Sequence, residues 1–200
     1  MNPLIALTVF AAIFPAELPD KTFVATLVLS TRFPPLPVWI GAAAAFVVQT
    51  AVAVAAGGAL SLLPRQPVHA ATAALLAIGA VVVLLAQDDP AKEEQEVEAE
   101  IAEVSDRPTA LRAGMTTFAV LFIAEWGDLT QLLTAAFAAK YHDPVAVSVG
   151  ALAALWGVAA LGVLGGRTLL RVVPVVWVRR IAAAVFGVLA VVTAVEAARA

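Results

Sequence analysis

Six apolar stretches, separated by short polar or proline-rich turns, run along the chain. A transmembrane helix needs about 20 predominantly apolar residues, and each stretch is roughly that long. Two prolines, Pro15 and Pro19, lie in the first stretch, and each removes a backbone donor and clashes with the preceding turn. We therefore expect the first helix to be kinked or broken. The six predicted helices cover residues 4–30, 38–63, 69–86, 110–139, 145–170 and 175–197.

The composition agrees with this pattern. Hydrophobic residues make up 62% of the chain and charged residues 14%, and the mean hydropathy is +0.95. Soluble proteins are about 45–50% apolar and about 25% charged. The sequence therefore predicts an all-α integral membrane protein that is embedded in a lipid bilayer. There is no cysteine, which excludes disulfides and thiolate-bound metals.

One segment breaks the apolar pattern and divides the chain. Residues 87–108 contain nine acidic residues against Lys92 and Arg107, which is typical of a solvated linker. The predicted organisation is a first three-helix repeat at residues 1–86, an acidic linker at 87–108 and a second three-helix repeat at 109–200. Because each half has three spans, the two halves insert with opposite orientations, which makes this an inverted repeat.

Basic residues in the loops predict the orientation, since cytoplasmic loops carry an excess of lysine and arginine. One side, with the acidic linker, has eight such residues, and the other side has three: Arg65, Lys140 and Arg199. We therefore expect a cytoplasmic linker and both termini outside. The eight residues on the linker side are Arg32, Lys92, Arg107, Arg112, Arg167, Arg171, Arg179 and Arg180.

A short acidic phrase occurs once in each half. Residues 16–22 read AELPDKT and residues 124–130 read AEWGDLT, so Glu17, Asp20 and Thr22 recur at an offset of 108 as Glu125, Asp128 and Thr130. An acid at the centre of a membrane helix costs about 2.5–3.5 kcal/mol on insertion scales. Four such acids, paired by an internal repeat, predict a functional site rather than incidental charge.

The spacing of these acids suggests a cation site. Residues three apart share a helical face, which places Glu17 beside Asp20 and Glu125 beside Asp128. Inverted symmetry can bring both pairs to the bilayer midplane, where transporter sites lie. Oxygen ligands suit hard cations such as Ca²⁺, Mg²⁺ and Mn²⁺.

Neutral side chains near the acids are candidates for additional oxygen ligands: Thr22, Thr130, Gln131 and Gln49. Lys21 is positioned to offset one negative charge. Burial among like charges favours the protonated form of a carboxyl group, so protons and metal should compete for this site. Competition of that kind predicts cation/proton exchange.

The doubled motif resembles that of the UPF0016/Gdt1 family of divalent cation/proton transporters, which includes transmembrane protein 165. The family pattern is Glu-x-Gly-Asp-(Lys/Arg)-(Thr/Ser) in each half, with an acidic cytoplasmic loop between them. The resemblance implies transport of Mn²⁺ or Ca²⁺, with H⁺ as counter-ion and the four acids as ligands. Two positions depart from the pattern, because Pro19 replaces a glycine and Leu129 replaces a basic residue. Bacterial members are linked to manganese export, which implies a plasma-membrane location.

The sequence thus predicts a non-enzymatic exporter of Mn²⁺, or less favourably Ca²⁺, with no resident cofactor and no nucleic-acid partner. A homodimer is left open. The alternative within transport is a proton-coupled exporter of a small organic solute such as an amino acid. A membrane enzyme with a catalytic metal is disfavoured, because no nucleophile or general base accompanies the acids within the spans.

Overall fold

The apolar runs form long helices, connected by short turns, in a computed structural model. The structure describes residues 1–18, 20–85, 95, 109–172 and 175–199, with side chains undescribed at 21, 166–172 and 175. Pro19, the side chain of Lys21 and nearly all of the predicted acidic linker lie outside this description. All regular structure in the described residues is α-helical. The helices are α1 (Pro3–Glu17), α2 (Lys21–Arg32), α3 (Pro35–Leu60), α4 (Arg65–Leu85), α5 (Ala110–Ala124), α6 (Leu129–Tyr141), α7 (Pro144–Val172) and α8 (Val175–Arg199).

Four of these helices are each long and apolar enough to cross a membrane: α3, α4, α7 and α8. The remaining helices form two bent pairs, with an angle of 65° between α1 and α2 and of 75° between α5 and α6. Counting each bent pair as one broken span gives up to six spans. The break in the first predicted helix is thereby confirmed, whereas a continuous helix over 110–139 is wrong.

The break between α5 and α6 has a local physical cause. Glu125 ends α5, and Gly127 adopts a left-handed backbone with φ of 79°, a conformation that glycine adopts without steric cost. Asp128 then caps α6, since its Oδ1 accepts a hydrogen bond from the backbone N–H of Gln131 at 2.7 Å. Capping by aspartate stabilises a helix start by about 1 kcal/mol. The motif residues themselves therefore end one helix and begin the next.

The two halves have the same order of helices, and corresponding helices start 107 to 110 residues apart. Two half-helices separated by the acidic motif are followed by two long helices, α3 and α4 in the first half and α7 and α8 in the second. Helix α1 packs along α7, and α5 packs along α3 in the corresponding way. The backbone N–H of Asn2 donates to Asp143 over 2.8 Å, which places the starts of α1 and α7 at one face, called here the N-terminal face. At the opposite face, called the linker face, Gly114 of α5 approaches the carbonyl of Pro37.

Small residues set the distance between several helices. A Cβ atom at Gly57 of α3 would collide with the carbonyl oxygen of Ala135 in α6, and one at Gly79 would lie 3.0 Å from the Phe186 ring. The neighbouring Gly58 and the later Gly187 face open space. Gly57 and Gly79 therefore allow close approach of helices, whereas Gly58 and Gly187 do not lie at such contacts.

Candidate cation site

The acidic motifs meet between the two broken spans. Glu17 is the last residue of α1 and Glu125 caps the end of α5, with 1% and 5% of their surfaces exposed. Asp20 and Asp128 lie just before α2 and α6. Carboxylate oxygens of Glu17, Asp20 and Glu125 all lie within 4.8 Å of one another. The tertiary structure thus gathers acids from both halves into one cluster.

The expected arrangement of each acid pair on one face of a continuous helix is wrong. In each half the glutamate ends one helix and the aspartate precedes the next, because the backbone breaks between them. The helices that follow, α2 and α6, begin beside the acids. Partial positive charge at a helix N-terminus stabilises nearby carboxylates, so the break supplies favourable electrostatics that a continuous helix would lack.

Two threonines connect the halves by crossed hydrogen bonds. The hydroxyl of Thr22 donates to Oε1 of Glu125 at 2.7 Å, and the hydroxyl of Thr130 donates to Oε1 of Glu17. Each threonine therefore orients the glutamate of the opposite half. The second oxygen of Glu17, Oε2, is buried and has no hydrogen-bond partner among the described residues, which leaves it available to a bound ion.

The two glutamines hold the broken backbone. Oε1 of Gln131 accepts from the N–H of Gly127 at 2.7 Å. Nε2 of Gln49 donates to the carbonyl oxygen of Phe122 at 3.2 Å and to that of Leu121 at 3.5 Å. Backbone groups freed by a helix break must find partners inside a membrane. Both glutamines thus lie at the site, where these contacts support the end of α5.

A small cavity adjoins the acids of the second half. Its volume is about 20 Å³, slightly above the roughly 10–15 Å³ of probe-occupied space that one water molecule needs. Thr50 and Thr134 line this cavity, although the sequence did not predict them as site residues. Their polar side chains within apolar stretches were the feature that could have indicated them. The lining residues are Phe46, Gln49, Thr50, Ala53, Glu125, Asp128, Thr130, Gln131, Thr134 and Leu155.

Apolar helices long enough to cross a membrane, with carboxylates clustered at the breaks of two bent pairs, define a multi-pass membrane protein with a buried acidic site. Comparison with protein-family models adds the particular family. Residues 5–91 and 113–200 match the divalent cation/proton antiporter GDT1 family, and the chain belongs to this family. The gap between the matched segments, residues 92–112, contains most of the acidic linker. The family is one of transporters rather than enzymes.

Curated relatives give the same result. The chain is 32% identical to protein PAM71, chloroplastic, of Arabidopsis thaliana, with 94% of this chain and 55% of that protein covered. It is 30% identical to GDT1-like protein sll0615 of Synechocystis sp., with 76% of this chain and 78% of that protein covered. The chain thus spans about half of the length of PAM71 and about three quarters of the Synechocystis protein. No solved structure matches the chain.

Proposed function

We propose that this protein exports Mn²⁺, or less favourably Ca²⁺, from the cytoplasm in exchange for protons. The observation that carries the proposal is the cluster of carboxylate oxygens from Glu17, Asp20 and Glu125 within 4.8 Å. Oxygens bound to one Ca²⁺ ion at 2.3–2.6 Å are separated by no more than about 5 Å. The observed spacing therefore suits a single hard cation shared by both halves.

The chemistry of the site supports exchange with protons. Several carboxylates crowded into a poorly solvated site need compensating positive charge, which either a divalent cation or protons supply. Thr22 and Thr130 orient the two glutamates in this proposal, and Asp128 completes the set of four acids. Lys21, whose side chain is undescribed, is proposed to balance one negative charge.

An inverted repeat of two three-span units accounts for the arrangement. The helix order recurs with starts displaced by 107 to 110 residues. The crossed threonine–glutamate hydrogen bonds exchange under the motif offset of 108. The first helices of the two halves also begin at opposite faces. Repeats related in this way support alternating access, because exchanging the conformations of the two halves moves the opening to the other face.

The proposed location is a plasma membrane with a cytoplasmic linker and both termini outside. The excess of basic residues, eight against three, supports this orientation. Reporter fusions at residue 95 and at the N-terminus test it, and an extracellular signal from the residue 95 fusion would reverse the assignment.

Export of an organic solute such as an amino acid is less well supported. Sites for small organic molecules have volumes of about 300–1,000 Å³, whereas the cavity beside the acids measures about 20 Å³. A cavity of this size suits an ion or a water molecule.

Metal flux into proteoliposomes tests the proposed function. We expect Mn²⁺ uptake that follows an imposed pH gradient, is competed by Ca²⁺ and is abolished in Glu17→Gln and Asp20→Asn. Asp143→Asn makes the same chemical change at a partly exposed position outside the acidic cluster and should retain flux. Folded protein that moves neither ion, or acid variants that transport normally, would refute the proposal.

A further inference from the structure

A second cluster of charged side chains lies away from the cation site, at the N-terminal face. Lys140, near the end of α6, places its Nζ 2.9 Å from Oε2 of Glu196 in α8 and 2.6 Å from the hydroxyl of Thr193. The Lys140 ammonium also lies 4.9 Å from the centre of the Tyr141 ring. The Lys140 side chain is 4% exposed, whereas that of Glu196 is 46% exposed. A buried ammonium is thus fully engaged by a neighbouring helix.

This contact links the cation site to the outer helices. Helix α6 begins at the site, where Asp128 caps it and Thr130 bonds Glu17, and it ends at Lys140. Ten residues of α-helix separate Thr130 from Lys140, a distance of about 15 Å at 1.5 Å per residue. The backbone of α6 packs against α3 and α4 rather than against α8. The Lys140 side chain is therefore the bridge by which α8 holds the far end of a site-bearing half-helix.

The corresponding end of the other half-helix is different. Arg32 lies 108 residues before Lys140 and ends α2 at the linker face, where it is exposed and forms no ion pair with the described residues. The packing of the long helices against the half-helices also differs between the two halves. Among the described helices, α4 packs on α6, but the corresponding pair in the other half, α8 and α2, is not packed together. Likewise α8 packs on α1, but the corresponding pair, α4 and α5, is not packed together.

From this asymmetry we infer that Lys140, Thr193 and Glu196 form a latch that holds the N-terminal face closed over the cation site. When the latch is fastened, the α4–α8 pair covers α1 and α6, the half-helices that lead from the site to this face. Opening towards the N-terminal face requires the end of α6 to separate from α8, which breaks the ion pair. The inference deepens the proposed function by assigning a gate to one face, and it does not depend on which cation is carried.

Cysteine labelling tests the latch without measuring transport. The chain has no cysteine, so Ala53→Cys introduces a single reporter into the cavity wall, between Gln49 and the end of α3 at the N-terminal face. A membrane-impermeant maleimide is added separately to right-side-out and to inside-out vesicles, so that each face is labelled on its own. We expect Lys140→Met to raise the labelling rate from the N-terminal face on the order of tenfold, since closed proteins populate open states at about 0.1–10%. Lys140→Arg keeps the ion pair and should label like the parent.

The remaining outcomes each decide the inference. If Lys140→Met does not elute as a monodisperse species, Glu196→Gln replaces it, because this half-exposed residue can lose its charge without exposing a cavity. An unchanged rate in a folded variant, or an equal rise from both faces, overturns the latch. Metal flux is measured separately, so a protein that transports no metal but shows one-sided labelling would refute the proposed function and retain the latch.

Discussion

Thr22 donates a hydrogen bond to Glu125 over 2.7 Å, although 103 residues separate them in the chain. The offset of 108 converts this pair into Thr130 and Glu17, which are also hydrogen-bonded. Each half of the protein therefore positions an acid of the other half. A cation bound between the glutamates would be sensitive to both threonines to a similar degree.

Removal of either hydroxyl should weaken cation binding. A hydrogen bond to a charged group contributes about 1.5–3 kcal/mol, so Thr22→Val and Thr130→Val should each raise the KM for metal flux by about 10- to 100-fold. Serine at either position should restore much of the loss. Thr26→Val is the matched control, because the Thr26 hydroxyl bonds only carbonyls of its own helix. Comparable flux in Thr22→Val and Thr26→Val would contradict the assigned role.

Gln49 should stabilise the broken end of α5. Gln49→Met keeps the length of the side chain but removes the amide donor to the carbonyl of Phe122. The carbonyl of Leu121 keeps its hydrogen bond from the backbone N–H of Glu125. An unpaired buried polar group costs about 1–3 kcal/mol, so we expect a lower unfolding temperature in detergent together with reduced flux. Equal thermal unfolding curves for the variant and the parent would contradict a stabilising role for the bond from Gln49 to Phe122.

Gly57 and Gly58 provide a matched pair for helix packing. Gly57→Ala pushes a methyl group into the carbonyl of Ala135, and overpacking of this kind typically costs about 1–3 kcal/mol. Gly58 faces open space, so alanine there should be neutral or stabilising by up to about 1 kcal/mol through helix propensity. Thermal unfolding of both variants measures the difference. If Gly58→Ala proves the more harmful, the packing of α3 against α6 is incorrect.

Asp143 should make the N-terminal face sensitive to acid. Hydrogen bonds from the backbone N–H of Ala146 and then that of Asn2 lower the pKa of Asp143 below its ordinary value of 3.8. A lowered native pKa contributes stability above the unfolded pKa, and this stability is lost as the pH falls through the native value. Asp143→Asn should therefore lower the unfolding temperature at pH 7, and the difference from the parent should disappear as the pH falls below the lowered native pKa of Asp143. A constant difference at all pH values would exclude this origin.

The sequence by itself determined the class of the molecule and the location of its acids. Composition and run length predict a membrane protein, because repeated stretches of about 20 predominantly apolar residues match the thickness of a bilayer. The doubled motif identified Glu17, Asp20, Glu125 and Asp128 as candidate ligands. An acidic residue inside an apolar stretch is costly in a membrane, and it can be recognised from its sequence neighbours alone. The family resemblance, which rests on this doubled motif, was confirmed by the family match over residues 5–91 and 113–200.

Only the tertiary structure decided how these residues are used. The region around Glu125 looked like part of one helix, since its apolar pattern continues through the motif, yet Gly127 and the cap at Asp128 break it. Gln49 contacts carbonyl groups more than 70 residues away, and no local pattern records such a partner. Gly57 and Gly58 are identical in sequence terms, but only one of them faces another helix. Pairings between distant segments depend on how helices pack, and that information is distributed over the whole chain rather than held in any one stretch.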